Sequence, residues 1–438
     1  MSAEAAAAEV DIPSVKPTVL PGAQRTKIFL YCTPLLLMVG LGAPWHGLID
    51  VPVSFFLKNR LHLGAHQVAT FRLFSAIPLY LAFVFGFARD TWNPLGMRDR
   101  GFFVLFGSIT GVLYGMLAFT PASYLTLLLG IIIVTCSFLM VYSAQNGLFS
   151  TLAQQHVMSG QMSTVWNVVL SVPGFMAFFF GGMLSDRLEG QHADSAARIL
   201  FLVGAVIMAC IVAYGLWRPR VVYDNLKSER PPAATPLSDL KRLLRYWPVY
   251  PAILIWFLWD FSPGTATVLQ FYLSNTLHAS DAQYGDWNAI FAASFIPTFL
   301  AYGWLCRKFS LRVLLFWGTI IGIPQMIPLI FIHSAEAALI TAVPIGLMGG
   351  ISSAAYWDLI IRSCPAGLQG TMMMLSTAAY WLAARFGDLW GTNLYEHHGG
   401  FVTCAWITTA VYALILPVLL LVPKRLTTTR DGEIPKPA

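Results

Sequence analysis

Charge is what this chain has least of: 11% of its 438 residues are Asp, Glu, Lys or Arg, against 57% hydrophobic. A soluble domain carries about a quarter charged residues, so lipid rather than water is the main solvent. Cysteine is sparse as well. Cys32, Cys136, Cys210, Cys306, Cys364 and Cys404 lie scattered, with no spacing that suits a metal site or a disulfide framework, so no metal or cofactor is expected. Also missing are a Gly-rich phosphate loop, a nucleophile elbow and paired His/Cys ligands. No polar stretch is long enough to be a nucleotide-binding domain. These absences exclude an enzyme and an ATP-driven pump. Residues 1–26 are acidic at first (Glu4, Glu9, Asp11) and have no apolar run. That excludes a secretory signal or a transit peptide and predicts a disordered tail.

What the chain does have is long apolar runs. A bilayer core takes roughly 20 apolar residues to cross. Twelve such spans fall near 28–50, 66–88, 101–119, 123–151, 163–184, 198–217, 248–273, 283–305, 311–332, 337–361, 370–394 and 401–422. The net charge of +6 follows the loops. With both termini on the cytoplasmic side, only Lys58, Arg60, Arg187 and Arg198 fall outside, and the other loop Lys and Arg residues fall inside. The basicity is therefore topological and implies no nucleic acid. It predicts a multi-pass protein of the plasma (inner) membrane, with membrane lipids as partners.

The chain is also internally duplicated. Phe55, Leu57, Asn59, Leu61, His62 and Gln67 recur as Phe271, Leu273, Asn275, Leu277, His278 and Gln283 at a shift of 216 (271 − 55). Ser143, Ala144 and Gly160 recur as Ser353, Ala354 and Gly370 at a shift of 210 (353 − 143). A period of half the chain in an apolar protein marks two like halves facing a central site. The expected organisation is a tail (1–26), a six-helix bundle (27–217), a linker (218–247), a second six-helix bundle (248–423) and a tail (424–438). In the linker, Leu237, Leu240, Leu244 and Trp247 share one helical face with Lys241, Arg242 and Arg245 beside them. This pattern predicts an amphipathic helix lying on the membrane surface.

Twelve spans, like halves, a central linker and the Gly86, Asp90, Arg98 loop resemble the major facilitator superfamily. Three stretches are similar to the folate-biopterin transporter family within it: Pro94 to Arg100; Phe257, Trp259, Ser262, Pro263, Phe271 and Tyr272; and Cys364-Pro365-x-Gly367-x-x-Gly370-Thr371. The chain departs from that family at Gln369, where the family carries Glu, and at Gln145 and Asn146, where it carries an acidic motif. The resemblance implies an all-α membrane fold of twelve transmembrane helices in two pseudo-symmetric six-helix bundles, and a monomer. It implies that spans 1, 4, 7 and 10 line a cavity. On this chain that assigns His46, Asp50, Gln145, Asn146, Trp259, Asp260, Tyr356 and Asp358 to substrate binding or proton coupling, with Trp45 and Trp357 alongside.

An ionisable side chain at mid-membrane costs about 2.5–3.5 kcal/mol, so Asp260 and Asp358 lead; each reads equally as a buried structural carboxylate. His46 reads as a packed core histidine or a proton carrier, and Gln145 and Asn146 as helix glue or ligands. Gly86, Asp90, Arg98 and Arg100 form a gating loop by the same resemblance, the arginines anchoring at headgroups. Arg385 and Asp388, three apart on span 11, form a possible charge pair. The expected function is secondary transport of a small organic solute, a pteridine or folate, by alternating access with proton coupling. The alternative is an assembly or scaffold protein of the same fold that moves nothing.

Overall fold

The computed structural model describes residues 17–45, 49, 53, 57, 61, 65–121, 123–188, 193–224, 226 and 235–434. Among these there is no β-strand. Up to the linker the helices are α1 (Gly22–Gly42), α2 (Ala65–Ser75), α3 (Ile77–Tyr80), α4 (Ala82–Thr91), α5 (Asp99–Phe119), α6 (Tyr124–Gln155), α7 (Ser159–Leu188) and α8 (Ala193–Leu216). The linker carries α9 (Pro236–Arg245). Then follow α10 (Val249–Asp260), α11 (Ala266–Phe271), α12 (Asp281–Lys308), α13 (Leu311–Gly322), α14 (Ala335–Arg362), α15 (Gln369–His397), α16 (Gly400–Ala413) and α17 (Ile415–Leu419).

Each expected span falls on helix. Seven of the described helical stretches are long and apolar enough to cross a bilayer. The other expected spans are broken or polar for visible reasons. Span 2 is divided into α2, α3 and α4, with Pro78 in the first turn of α3. Span 7 is divided at Ser262-Pro263-Gly264 between α10 and α11. Helix α15 carries Gln369, Arg385, Asp388 and Glu396. The chain is ordered earlier than residue 27: α1 starts at Gly22, and the Thr18 N–H donates to the Gln155 carbonyl at 2.9 Å.

Packing divides the chain into two compact units. The N-terminal unit holds residues 21–149 and 169–226. The C-terminal unit holds the described residues of 1–20, 150–168 and 227–438, so it includes the adjoining ends of α6 and α7. Small residues set the helix spacing in each unit. In the N-terminal unit a Cβ at Gly107 of α5 would meet the Val212 side chain of α8 at 3.0 Å. In the C-terminal unit, Cβ atoms at Gly346 and Gly350 of α14 would overlap the hydroxyls of Ser294 and Thr298 on α12.

The duplicated stretch is a backbone device. Tyr272–Thr276 forms a π-helical turn, and Leu57, the counterpart of Leu273, is π-helical as well. His278 then takes a left-handed φ of 53°, and the Ala279 N–H reaches back to the Leu273 carbonyl at 2.9 Å, a helix-ending cap. Gln283 completes a capping box with Ser280 that starts α12. These residues end one helix and begin the next.

Candidate functional site

Helix α10 stops at Asp260 because Pro263 has no N–H to continue it. The turn that follows is held by Gly264 N–H donating to Thr408 Oγ1 at 3.0 Å. Helix α15 makes room for it: a Cβ at Gly391 would overlap the Pro263 carbonyl, and one at Gly387 would sit 3.0 Å from the Ser262 nitrogen. Around this break lies an aromatic group. Trp259 stacks on Tyr412 at 4.7 Å and meets Tyr356 edge-on at 5.3 Å. Tyr356 shares a 2.6 Å hydrogen bond with Thr319, and Gln325 Nε2 donates to the Tyr412 hydroxyl at 3.2 Å. Asp260 Oδ2, Gln325 Oε1, Trp357 Nε1 and Arg385 Nε are buried without a hydrogen-bond partner among the described residues. A buried polar atom left unpaired costs about 1–3 kcal/mol, and such atoms in native proteins call for an explanation. Rings with unpaired donors and acceptors at their edges suit a flat solute with a polar rim.

The N-terminal unit has a similar break. Helix α1 ends at Gly42, whose carbonyl accepts from Tyr114 Oη at 2.8 Å, and Ala43 is extended. Beyond it Trp45 meets Phe138 and Tyr142 of α6 edge-on at 5.2 and 5.5 Å. Gln145 and Asn146 follow on α6, both fully buried, and neither polar atom of the Gln145 amide has a hydrogen-bond partner among the described residues. His46 and Asp50 lie outside the described residues.

Each unit also carries an arginine held by acids. In the N-terminal unit Arg89 pairs with Asp90 at 2.8 Å and Asp99 at 2.6 Å, one turn beyond buried Gly86. Its guanidinium fills the space over Gly147 of α6, where a Cβ would overlap it. Arg98 and Arg100 reach backbone carbonyls. Arg98 Nη1 donates to the Leu226 carbonyl at 2.9 Å, and Arg100 donates to the carbonyls of Gly215 and Leu216 at 2.8 Å each. The last carbonyls of α8 attract cations because they carry the negative end of the helix dipole.

In the C-terminal unit Asp358 is fully buried, pairs with Arg362 at 2.8 Å and accepts from Tyr302 Oη at 2.8 Å. It stands in the last turn of α14 rather than at mid-helix, and its carboxylate is already satisfied. Arg362 also donates to Ser159 Oγ at 2.9 Å and to the Thr429 carbonyl at 3.0 Å. Asp431 accepts from the backbone N–H groups of Gly160 and Gln161 at 3.0 and 3.3 Å, capping α7 from 270 residues away (431 − 161). The Gly432 N–H donates to the Val157 carbonyl at 2.7 Å. Burial, with nearby Asp358 adding to it, pushes the Asp431 carboxyl up to about 7. Residues 426–432 thus clasp the start of α7.

Arg385 and Asp388 are not an ion pair. Asp388 accepts from the Thr267 N–H and hydroxyl at 3.1 and 2.9 Å, an anion at the start of α11, while Arg385 lies over the Trp381 ring at 5.7 Å. The structure thus gathers Trp259, Asp260 and Tyr356 at one break, sets Gln145 and Asn146 beside the other, and places Asp358 in the clasp. Sequence reasoning missed Tyr412, Gln325, Tyr302, Arg362 and Asp431. Of these, only Arg362 had a readable signal, its i+4 spacing from Asp358.

Broken apolar helices, aromatic clusters at the breaks and arginine clusters at helix ends fit an integral multi-pass membrane protein of the transporter class. A family model for the Major Facilitator Superfamily matches residues 159–388, and the chain belongs to that superfamily. Its fold is the twelve-helix, two-bundle major facilitator fold. The chain is 22% identical over 391 residues to the sugar efflux transporter B of Salmonella typhimurium, covering 87% of this chain and 94% of that one. It is 23% identical over 403 residues to a folate-biopterin transporter of Synechocystis, covering 86% and 77%. Among solved structures, the proton:xylose symporter XylE matches with a TM-score of 0.67 at 14% identity, covering 94% of this chain and 99% of that one.

Proposed function

We propose that the protein is a secondary transporter that moves a small organic solute by alternating access, with Asp260 as the proton-coupling and substrate-facing carboxylate. The observation that carries this reading is the unpaired, buried Asp260 Oδ2 at the break of α10, flanked by Trp259, Tyr356 and Tyr412. Discontinuous helices are where such proteins bind substrate. Asp358 serves conformational gating rather than substrate, together with Gly86, Asp90, Arg98 and Arg100. A pteridine or folate suits the flat aromatic faces, and the similarity to a folate-biopterin transporter supports that class. A sugar is the second reading, supported by the similarity to a sugar efflux transporter along nearly its whole length. Proteoliposomes loaded at one pH and diluted into another, with pterin, folate and sugars as probes, test both. Saturable, gradient-dependent uptake of one class supports transport. No flux with any probe, together with copurification of a protein partner, supports the scaffold alternative.

A further inference from the structure

Helix α9 lies one short turn before α10 and turns two unlike faces outward and inward. Its inward face carries Asp239 and Leu243, both buried, and its outward face carries Leu237, Leu240 and Leu244 at 62, 44 and 59% exposure. Trp247 continues that stripe and donates through Nε1 to the Leu421 carbonyl at 3.4 Å, next to exposed Leu420 and Leu421. Water is a poor solvent for this face. Lys241 and Arg245, one turn apart, border the stripe and form no ion pair among the described residues, and Arg425 lies over the Tyr246 ring at 5.9 Å at the end of the helix. An apolar stripe edged by unpaired cations and followed by the apolar helix α10 is complementary to a leaflet of anionic lipid.

The third cation does something different. Arg242 turns inward, pairs with Asp239 at 3.3 Å and donates to the Ala366 carbonyl at 3.0 Å. Ala366 sits in the turn between α14 and α15, the Cys364-Pro365-x-Gly367 motif, where Gly367 takes a left-handed φ of 74°. That turn grips the end of α6: Gln154 Nε2 donates to the carbonyls of Ile361 and Cys364 at 2.8 and 2.9 Å, Gln369 Nε2 donates to Gln154 Oε1 at 3.1 Å, and Ser150 donates to the Cys364 thiol at 3.2 Å.

We propose that α9 is an anionic-lipid docking surface whose engagement, through Arg242 and the Ala366 carbonyl, steadies the 363–368 turn and its grip on Gln154. A basic residue at an anionic leaflet gains about fivefold in binding. Lys241 and Arg245 together therefore gain about 25-fold.

Amide hydrogen exchange on the full-length protein in nanodiscs tests this without a substrate, so its failure is separable from a failure of the transport reading. Discs of phosphatidylcholine alone are compared with discs containing phosphatidylglycerol. The expected result is that the anionic lipid slows exchange of 236–245 and of 360–370 by about fivefold or more. In K241Q/R245Q that difference disappears from both segments. In R242Q it survives in 236–245 but disappears from 360–370, an outcome that mere loss of fold does not produce. Equal exchange of the wild type in both discs overturns the proposal, as does a full response in K241Q/R245Q.

Discussion

The two units solve one problem with different electrostatics. Each breaks its first helix, α1 at Gly42 and α10 at Asp260, and sets a tryptophan at the break against a tyrosine of a long packed helix: Trp45 on Tyr142, Trp259 on Tyr356. Each also buries an arginine against carboxylates, Arg89 and Arg362. They differ at the break itself. In the described residues the N-terminal half-site offers the neutral amides of Gln145 and Asn146, whereas the C-terminal one offers the carboxylate of Asp260. Among the described residues the aromatic scaffold is common to both and a carboxylate stands at one.

The largest test of this comparison removes the arginines. Arg89→Gln leaves Asp90 and Asp99 without their cation, and Arg362→Gln does the same to Asp358. Stranding a buried charge costs about 3–5 kcal/mol, so both variants are expected to lose many degrees of melting temperature in detergent. A loss confined to one would break the likeness between the clusters.

A smaller effect is expected at Asp431, which has no counterpart described in the N-terminal unit. Its carboxyl is raised from an ordinary 3.8 to about 7 when the tail is docked, so the docked tail binds a proton more tightly than the free one. Docking is therefore strongest in acid and weakens as pH rises between those two values, staying at its weaker level above about 7. The groups facing Asp431 are Asp358 and Arg362 of α14, Cys306 of α12, and the N–H groups of Gly160 and Gln161. Anisotropy of a fluorophore at the C-terminus is expected to fall as pH rises through this window, and Asp431→Asn to flatten the curve at the docked value.

The smallest effect sharpens the comparison most finely. Gln145→Leu replaces an unpartnered buried amide by an apolar group of similar size, so stability rises by up to about 1 kcal/mol while uptake falls. A stability loss instead means that the amide is structural glue, as in the alternative reading of that residue.

Much of the fold was legible because apolar length, Gly/Pro breaks and a 216-residue period are local or periodic signals. Leu57 and its counterpart Leu273 are both π-helical. Trp259, Asp260 and Tyr356 were found through the family resemblance and the repeat. Tyr412 and Gln325 were not, because their meeting with Trp259 depends on how α10, α13 and α16 pack. Asp358 was misplaced: its type implied mid-membrane work, whereas the i+4 arginine satisfies it at the helix end. The clasp by Asp431 was invisible, since nothing in a basic tail says which helix start it caps. Cys364-Pro365-x-Gly367 was the reverse case, a motif plain in the sequence whose use, gripping Gln154, needed coordinates.

The central claim is that one carboxylate, Asp260, carries the chemistry of the site. Proton-driven accumulation and counterflow exchange of the transported probe, measured side by side in proteoliposomes for the wild type and Asp260→Asn, test it most directly. Asp260→Asn is expected to abolish accumulation against a gradient while the variant keeps its melting temperature. Undiminished accumulation in Asp260→Asn contradicts it.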